Sequence, residues 1–161
     1  LTLMNPEVEF ISIVQQIDNN NAMEILKGSN LIVDGLDSFR ARQAVNEASV
    51  KLGIPYVFAG AVEYFANLST FIPGKTGCLN CLMGTAKDNP DSTAASIGVS
   101  TELLSVVAGI EAREATLLAL MRKANLEGML MTIDISTLSF EVFDIARSET
   151  CSVCGHLSPK E

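Results

Sequence analysis

The four cysteines of the chain form two closely spaced pairs, Cys78 with Cys81 and Cys151 with Cys154. Two intervening residues let both thiolates of a pair point at one ion, and two such pairs complete the tetrahedral four-sulfur shell that zinc prefers. The 69 residues between the pairs far exceed the roughly 15–20 residues found within a compact zinc finger. We therefore predict a structural zinc ion that joins distant parts of one fold, since a closed four-sulfur shell has no open position for a substrate.

Two disulfide bonds or a thioredoxin-like redox pair are the alternatives for these cysteines. Disulfide bonds are rare in cytosolic proteins, and a redox Cys-x-x-Cys motif needs a helix that starts after a strand. His156 is the only histidine of the chain, so sites built from several imidazoles are excluded. We expect His156 to be a solvated residue, because four sulfurs already fill the metal shell. No serine lies in a nucleophile-elbow pattern, which argues against a Ser-His-Asp site.

The elements that must position these residues follow an α/β pattern. Short apolar runs at residues 31–33 and 56–59 predict buried parallel strands. Between them a helix should start at a cap on Asp37 or Ser38, continue to about Leu52 and end at Gly53, which makes a βαβ unit. The other predicted elements are strands at 8–14, 68–72, 129–133 and 138–143, helices at 22–27 and 100–124, and a mobile polar loop at about 85–96.

The longest predicted helix, over residues 100–124, is largely apolar. Such a helix is typical of a core or a subunit interface. Its predicted inner side comprises Leu103, Val107, Ile110, Leu117 and Met121. Together these elements predict the later half of a doubly wound, Rossmann-like α/β sheet, followed by antiparallel strands and the structural zinc site.

Asp37 follows the carboxyl end of the predicted strand at 31–33 and starts the next helix. Ligands of open α/β sheets bind at this edge. A carboxylate there can hold Mg²⁺ against a phosphate group. Aspartate at this position is also an ordinary helix cap, so the residue alone leaves both interpretations open.

The order of several motifs along the chain favours one of the two interpretations of Asp37, namely a metal-binding residue. In chain order these motifs are Asn5-Pro6, Asp34-Gly35-Leu36-Asp37-Ser38, Arg42, Asn46, Gly53-Ile54-Pro55, Gly60-Ala61, the two cysteine pairs, Gly98-Val99 and Glu111-Ala112-x-Glu114-Ala115. This order resembles the later half of the ThiF/MoeB/HesA family, which includes the adenylation domains of ubiquitin-activating enzymes. The resemblance runs from Asn5 to Gly155.

The resemblance implies an adenylation reaction. Members use Mg-ATP to convert the C-terminal carboxylate of a ubiquitin-like protein, a sulfur-carrier protein or a peptide into an acyl-adenylate. It implies that Asp37 is the catalytic acidic residue near the metal and the α-phosphate, and that Arg42 and Asn46 also bind the cofactor. A helix-surface role or a local hydrogen bond is the alternative for Arg42 and Asn46. The apolar helix and the resemblance together suggest a homodimer.

The chain departs from the family pattern at several points. The family's glycine-rich loop and ATP-gripping cations would lie upstream of Leu1, so we expect residues 1–161 to be the C-terminal part of one adenylation domain, inactive without the rest. No cysteine lies between Cys81 and Cys151, so zinc binding would leave no thiol for a thioester or persulfide. Ser38 replaces the usual asparagine, and Ala66 lies near an expected glycine.

Composition excludes several other classes. The chain has 19 acidic and 11 basic residues and a net charge of −8, which disfavours nucleic-acid binding. No apolar run approaches the roughly 20 residues that cross a bilayer, so we expect no membrane partner and a cytoplasmic location. A nicotinamide-dependent oxidoreductase would need the G-x-G-x-x-G fingerprint, which does not occur. The remaining rival is a non-catalytic, zinc-stabilised interaction subunit of the same fold.

Overall fold

The computed structural model describes residues 3–84, 86, 88, 89 and 94–157. Five helices and five strands lie in this part of the chain. In chain order they are α1 (Ala22–Leu26), β1 (Ile32–Val33), α2 (Phe39–Leu52), β2 (Tyr56–Val62), β3 (Phe65–Phe71), α3 (Leu79–Met83), α4 (Ala94–Ile97), α5 (Thr101–Ala119), β4 (Met129–Asp134) and β5 (Ser139–Asp144).

The strands form one sheet in the order β1-β2-β3-β4-β5. Strands β1 and β2 are parallel, with Ile32 opposite Tyr56, and α2 connects them. The other neighbours pair in an antiparallel manner, and β4 and β5 form a hairpin in which Asp134 lies opposite Ser139. The predicted βαβ unit, the antiparallel strands that follow it and the α/β class are therefore confirmed.

Helix α2 has the ends that its sequence predicts. The Ser38 hydroxyl accepts a hydrogen bond from the backbone N–H of Ala41 at 3.3 Å, which satisfies one of the free donors of the first turn. Gly53 ends the helix with a left-handed φ of 72°, a conformation that costs glycine no steric strain. Residues 34–38 connect the end of β1 to the start of this helix.

Helices cover both faces of the sheet at β2. Tyr56 and Phe58 pack with Val45 of α2 on one face, whereas Ala59 packs with Leu103 and Val107 of α5 on the other. Successive side chains of a strand point to opposite faces, so one strand serves both cores. Because α2 and α5 lie on opposite faces, the residues that follow β1 stand at an edge between two helical layers.

The strand predicted at residues 8–14 is wrong. The segment is extended but has no strand assignment, and its side chains are exposed, with Val14 at 99% of its full accessibility. None of the described strands pairs with it. Its β-branched residues favour a strand only where a neighbouring strand and a buried face are available.

Helix α5 is shorter than predicted, and one of its expected core residues faces solvent. The helix ends at Ala119, and Met121 lies beyond it with a φ of 54° and 94% exposure. The Glu114 carboxylate accepts the backbone N–H groups of Asn125 and Leu126 at 2.9 and 2.8 Å. These bonds turn the chain back towards the sheet, which moves Met121 off the inner side.

The predicted polar loop at 85–96 is only partly described. Residues 85, 87 and 90–93 lie outside the described residues. The prediction is wrong for residues 94–96, which belong to the short helix α4. Among the described helices, none combines the length and the apolar character that a bilayer-spanning segment requires.

Candidate functional site: a four-cysteine cluster and an acidic cavity

The sulfur atoms of the four cysteines lie together, although the two pairs are far apart in the sequence. The Sγ atoms of Cys78 and Cys151 are 3.8 Å apart, and those of Cys81 and Cys154 are 3.4 Å apart. All four lie within 4.8 Å of one another. Four sulfurs at Zn–S distances of about 2.3 Å would be roughly 3.8 Å apart in a tetrahedron. The donor set therefore fits a zinc ion, and all four cysteines are free of disulfide bonds.

Helix α2 and the start of α3 position the first cysteine pair. The side-chain oxygen of Asn46 accepts the backbone N–H of Leu79 at 3.0 Å, and its amide nitrogen lies 3.7 Å from Cys78 Sγ. The backbone N–H of Cys81 bonds to the carbonyl of Cys78 at 2.9 Å. The pair is thus fixed in a tight turn before any ion binds.

The second cysteine pair depends on the absence of a side chain at Gly155. A Cβ atom there would lie 2.4 Å from the carbonyl oxygen of Glu149 and 2.6 Å from that of Cys151. Real contacts of this kind are longer, so backbone atoms would have to move. The Asn80 amide reaches from α3 to Cys151 Sγ at 3.5 Å and connects the two pairs.

The surroundings raise the pKa of two of the thiols and lower that of a third. Burial raises the pKa of Cys78 and that of Cys154. Burial also acts to raise the pKa of Cys151, but hydrogen bonds from the backbone of Cys154, the amide of Asn80 and the backbone of Val153 outweigh it and lower this pKa to about 6. A thiolate is the form that binds metal, so the lowered pKa of Cys151 favours its metal-binding form near neutral pH.

A second cluster lies where β1 ends. The side chain of Asp34 is fully buried and receives Nε of Arg42 at 3.0 Å and the hydroxyl of Tyr56 at 2.6 Å. Burial, followed by the Asp34 charge, raises the pKa of Tyr56 well above 10. The Arg42 Nη2 group also donates to the carbonyls of Leu36 and Ala59. Arg42 is therefore held by protein acceptors and stabilises the turn after β1.

Asp37 lies three residues beyond Asp34 and is exposed. It lines a cavity of about 410 Å³ between the end of β1, the outer half of β2 and α5, a volume typical of small-ligand sites. Asp88 lines the same cavity, and its carboxylate accepts the N–H groups of Phe39 and Arg40 at 2.6 and 3.3 Å at the start of α2. Asp37 therefore does not cap this helix through these donors, and its carboxylate is available to a ligand.

The cavity fits a magnesium ion better than an unaccompanied triphosphate. Its described lining includes four acidic residues and one cation, Arg42, which Asp34 already neutralises. The acidic residues are Asp34, Asp37, Asp88 and Glu111. Mg²⁺ uses one or two carboxylates together with phosphate oxygens, so Asp37 suits such a bridge. The described lining thus contains carboxylates that could bind a metal ion but no free cation that could bind phosphate.

The structure separates the three residues that the sequence places at the cofactor. Asp37 and Arg42 line the cavity, whereas Asn46 is buried, does not line it, and contacts the first cysteine pair. Sequence reasoning missed Glu111 as a cavity residue. Two carboxylates among the apolar residues of the inner face of α5, Glu111 and Glu114, are the signal that could reveal it.

The chain is similar to known proteins over most of its length. The ThiF family model matches residues 1–153. The chain is 30% identical over 155 residues to the SAMP-activating enzyme E1 of Haloferax volcanii, covering 94% of this chain and 56% of the relative. It is 32% identical over 163 residues to the sulfur carrier protein adenylyltransferase of Thermus thermophilus, covering 96% and 59%.

Among solved structures, Escherichia coli MccB crystallised with ATP superposes with a TM-score of 0.79 at 21% identity, covering 96% of this chain and 48% of MccB. That likeness confirms the fold. The chain therefore spans about half the length of the relatives that it matches. The match of the family model over residues 1–153, almost the whole chain, shows that the chain belongs to the ThiF family.

Proposed function

We propose that this chain is the later part of an ATP-dependent adenylyltransferase that activates the C-terminal carboxylate of a polypeptide as an acyl-adenylate. The observation that carries the proposal is the exposed carboxylate of Asp37, which lines a cavity at the carboxyl end of the parallel strand pair. Membership of a family with adenylyltransferase relatives supports it. The substrate class is a ubiquitin-like protein, a sulfur-carrier protein or a peptide.

Adenylation requires that the repulsion between the two reacting anions is offset and that the group which binds the metal ion is held in place. In the reaction a substrate carboxylate oxygen bonds to the α-phosphorus of ATP while the bond to the bridging oxygen breaks, and pyrophosphate leaves with that electron pair. Mg²⁺ offsets the repulsion between the two anions. Asp37 would hold this ion at the cavity. Arg42 and Asp34 fix the turn that carries Asp37, so we infer that Arg42 positions the site. Among the described lining residues, no other cation is present to bind the phosphates.

We propose that zinc occupies the four-cysteine cluster and acts as a structural ion. The sulfur distances and the charge of the thiolates support this role, and a shell of Cys78, Cys81, Cys151 and Cys154 leaves no open position on the metal. If all four thiols are ligands, none is left to accept the activated acyl group. The reaction of this chain would then end at the adenylate.

We also propose a homodimer in the cytoplasm. Large apolar side chains are exposed on the hairpin, including Phe140, Val142 and Phe143, and a surface of this kind favours association. The four free thiols suit a reducing compartment. Light scattering on the purified protein would give about twice the chain mass if the dimer forms.

The experiment that tests the function replaces Asp37 in the complete polypeptide that carries this chain. Asp37→Asn should lower ATP–pyrophosphate exchange roughly 100-fold or more, because removing one preorganised electrostatic contact commonly has this effect. Glu24→Gln, on the exposed side of α1 and away from the cavity, is the control and should leave exchange unchanged. Unaltered exchange in Asp37→Asn, or no exchange in the wild type, would support the rival interpretation of a non-catalytic interaction subunit.

A further inference from the structure

Glu111 differs from the other buried carboxylate of α5. Glu114, one turn further along, is fully engaged by the Thr70 hydroxyl at 2.8 Å and by two backbone N–H groups. Glu111 is 9% exposed, and its Oε1 atom has no hydrogen-bond partner among the described residues. A buried acceptor without a donor lowers stability. The folded chain therefore retains an acceptor that it does not use itself.

The described residues around the cavity offer Glu111 no free cation. Val107 and Leu104 of the same helix and Ala61 of β2 line the cavity with it. The cation of this cavity, Arg42, is bound to Asp34. Burial, and then the charge of Asp34, raises the pKa of Glu111 to about 7, against a smaller lowering by Arg42. The buried charged form of this carboxyl group is therefore disfavoured, and its Oε1 atom has no donor among the described residues.

A ligand that brings an N–H group into this cavity would satisfy Glu111. A polypeptide end that enters an apolar cavity loses water from its backbone N–H groups, and each of them then requires an acceptor. Among the described lining residues, Asp34 is already committed to Arg42 and Tyr56, whereas Glu111 Oε1 is not committed. The match is between one buried acceptor and one buried donor.

We propose that Glu111 is a specificity-determining residue that accepts a hydrogen bond from a backbone N–H near the carboxyl end of the polypeptide substrate. The inference rests on the proposed function for the class of substrate. It adds the residue that recognises the backbone. Glu111 has no part in the chemical step, which would take place at the α-phosphate beside the ion that Asp37 would hold.

The test measures binding of two minimal probes to the complete polypeptide that carries this chain, in the absence of nucleotide. N-acetyl-alanyl-alanine keeps the peptide N–H, and its counterpart methylated at that nitrogen lacks it. NMR titration of the wild type should show roughly tenfold weaker binding of the methylated probe, the usual effect of losing one hydrogen bond to a charged group. The carboxyl resonance of Glu111 should shift with the first probe only.

Three variants make the test specific. Glu111→Gln keeps an acceptor oxygen and should still discriminate between the probes, whereas Glu111→Leu should bind both equally. Glu102→Leu, at the exposed first turn of the same helix, is the control and should behave as the wild type. Discrimination that persists in Glu111→Leu, or equal binding or no binding of both probes by the wild type, would overturn the proposal.

Two further outcomes separate this inference from its alternatives. Tighter binding of N-acetyl-alanyl-lysine than of N-acetyl-alanyl-alanine, lost in Glu111→Gln, would assign Glu111 to a cationic side chain instead and overturn the backbone assignment. Because the probes bind without nucleotide, the result is independent of exchange activity. Loss of exchange with intact discrimination counts against adenylation alone, and intact exchange without discrimination counts against Glu111 alone.

Discussion

The amide nitrogen of Asn46 lies 3.7 Å from Cys78 Sγ, while its oxygen binds the backbone N–H of Leu79 at 3.0 Å. One buried side chain on α2 thus contacts both a cysteine of the cluster and the first residue of α3. Asn46 follows Arg42 by one helical turn, so the same helix supports the acidic cavity with one residue and the cysteine cluster with the other. Helix α2 therefore connects the acidic cavity to the cysteine cluster.

Replacing Asn46 should weaken metal binding rather than nucleotide binding. Asn46→Ala removes both hydrogen bonds, and loss of an outer partner of a metal ligand typically lowers affinity by roughly 10–100-fold. Competition with a chromophoric chelator would measure the zinc affinity. Asn30→Ala, in an exposed loop, should leave it unchanged. A wild-type zinc affinity combined with weaker nucleotide binding would restore Asn46 to the cofactor site.

The contacts of Asn46 show which features of the site the sequence predicts and which it does not. The spacing of the cysteines predicts their meeting, because a four-sulfur shell has few arrangements, and Ser38 and Gly53 predict the ends of α2 through purely local hydrogen bonding and backbone conformation. The direction of Asn46 was not predictable in the same way. Its direction depends on the placement of α3, which packs on α2 from a distant part of the chain.

Replacing Gly155 by alanine should disrupt the second cysteine pair. The added Cβ would meet two backbone carbonyl oxygens at 2.4 and 2.6 Å, so the turn must open and the sulfurs of Cys151 and Cys154 must separate. We expect less than one zinc per chain by elemental analysis, together with a lower unfolding midpoint, because metal affinity contributes to folding free energy. Gly109→Ala on α5 has no atom within 4 Å of the new Cβ and should retain full zinc. Full zinc content in Gly155→Ala would contradict the proposed ligand geometry.

Breaking the Asp34–Arg42 pair should destabilise the fold strongly. Arg42→Met leaves the buried Asp34 carboxylate with the Tyr56 hydroxyl as its remaining side-chain donor, and removal of one partner of a buried ion pair costs roughly 3–5 kcal/mol. Urea unfolding would measure the loss, and Arg40→Met, exposed on the same helix, should change stability by less than about 0.5 kcal/mol. Adding Asp34→Asn to Arg42→Met should recover part of the loss. A double variant less stable than Arg42→Met would show that the charge of Asp34 is not the cause.

The parts of the structure that the sequence mispredicts depend on contacts between distant residues. Residues 8–14 have strand-like composition but no pairing partner among the described strands, so their composition alone could not form a strand. The end of α5 is set by Glu114, whose carboxylate captures the backbone of residues 125 and 126. Periodicity along a helix contains no information about such a capture, and for this reason Met121 was assigned to the wrong side.

The contribution of Glu111 to the stability of the zinc-loaded protein should fall with rising pH. Its pKa rises from an ordinary value near 4.5 to about 7 in the folded chain, through burial first and then the charge of Asp34, against Arg42; Tyr56 lies within the same set of charges. The folded state therefore holds this proton more tightly than the unfolded state does. Its contribution to stability is complete below about pH 4.5 and is lost as the pH rises through 7.

Glu111→Gln isolates this effect, since glutamine does not titrate. We expect the variant to match the wild type in urea unfolding at pH 5, where the glutamate is protonated when folded, and to exceed it by roughly 1–3 kcal/mol at pH 8. Taking the difference between the two proteins at each pH cancels the titration of the cysteines and other groups common to both. Glu102→Gln should show the same difference from the wild type at both pH values, because Glu102 lies at the exposed first turn of α5. A gap between Glu111→Gln and the wild type that stays constant from pH 5 to pH 8 would mean that Glu111 finds a compensating charge in the folded protein.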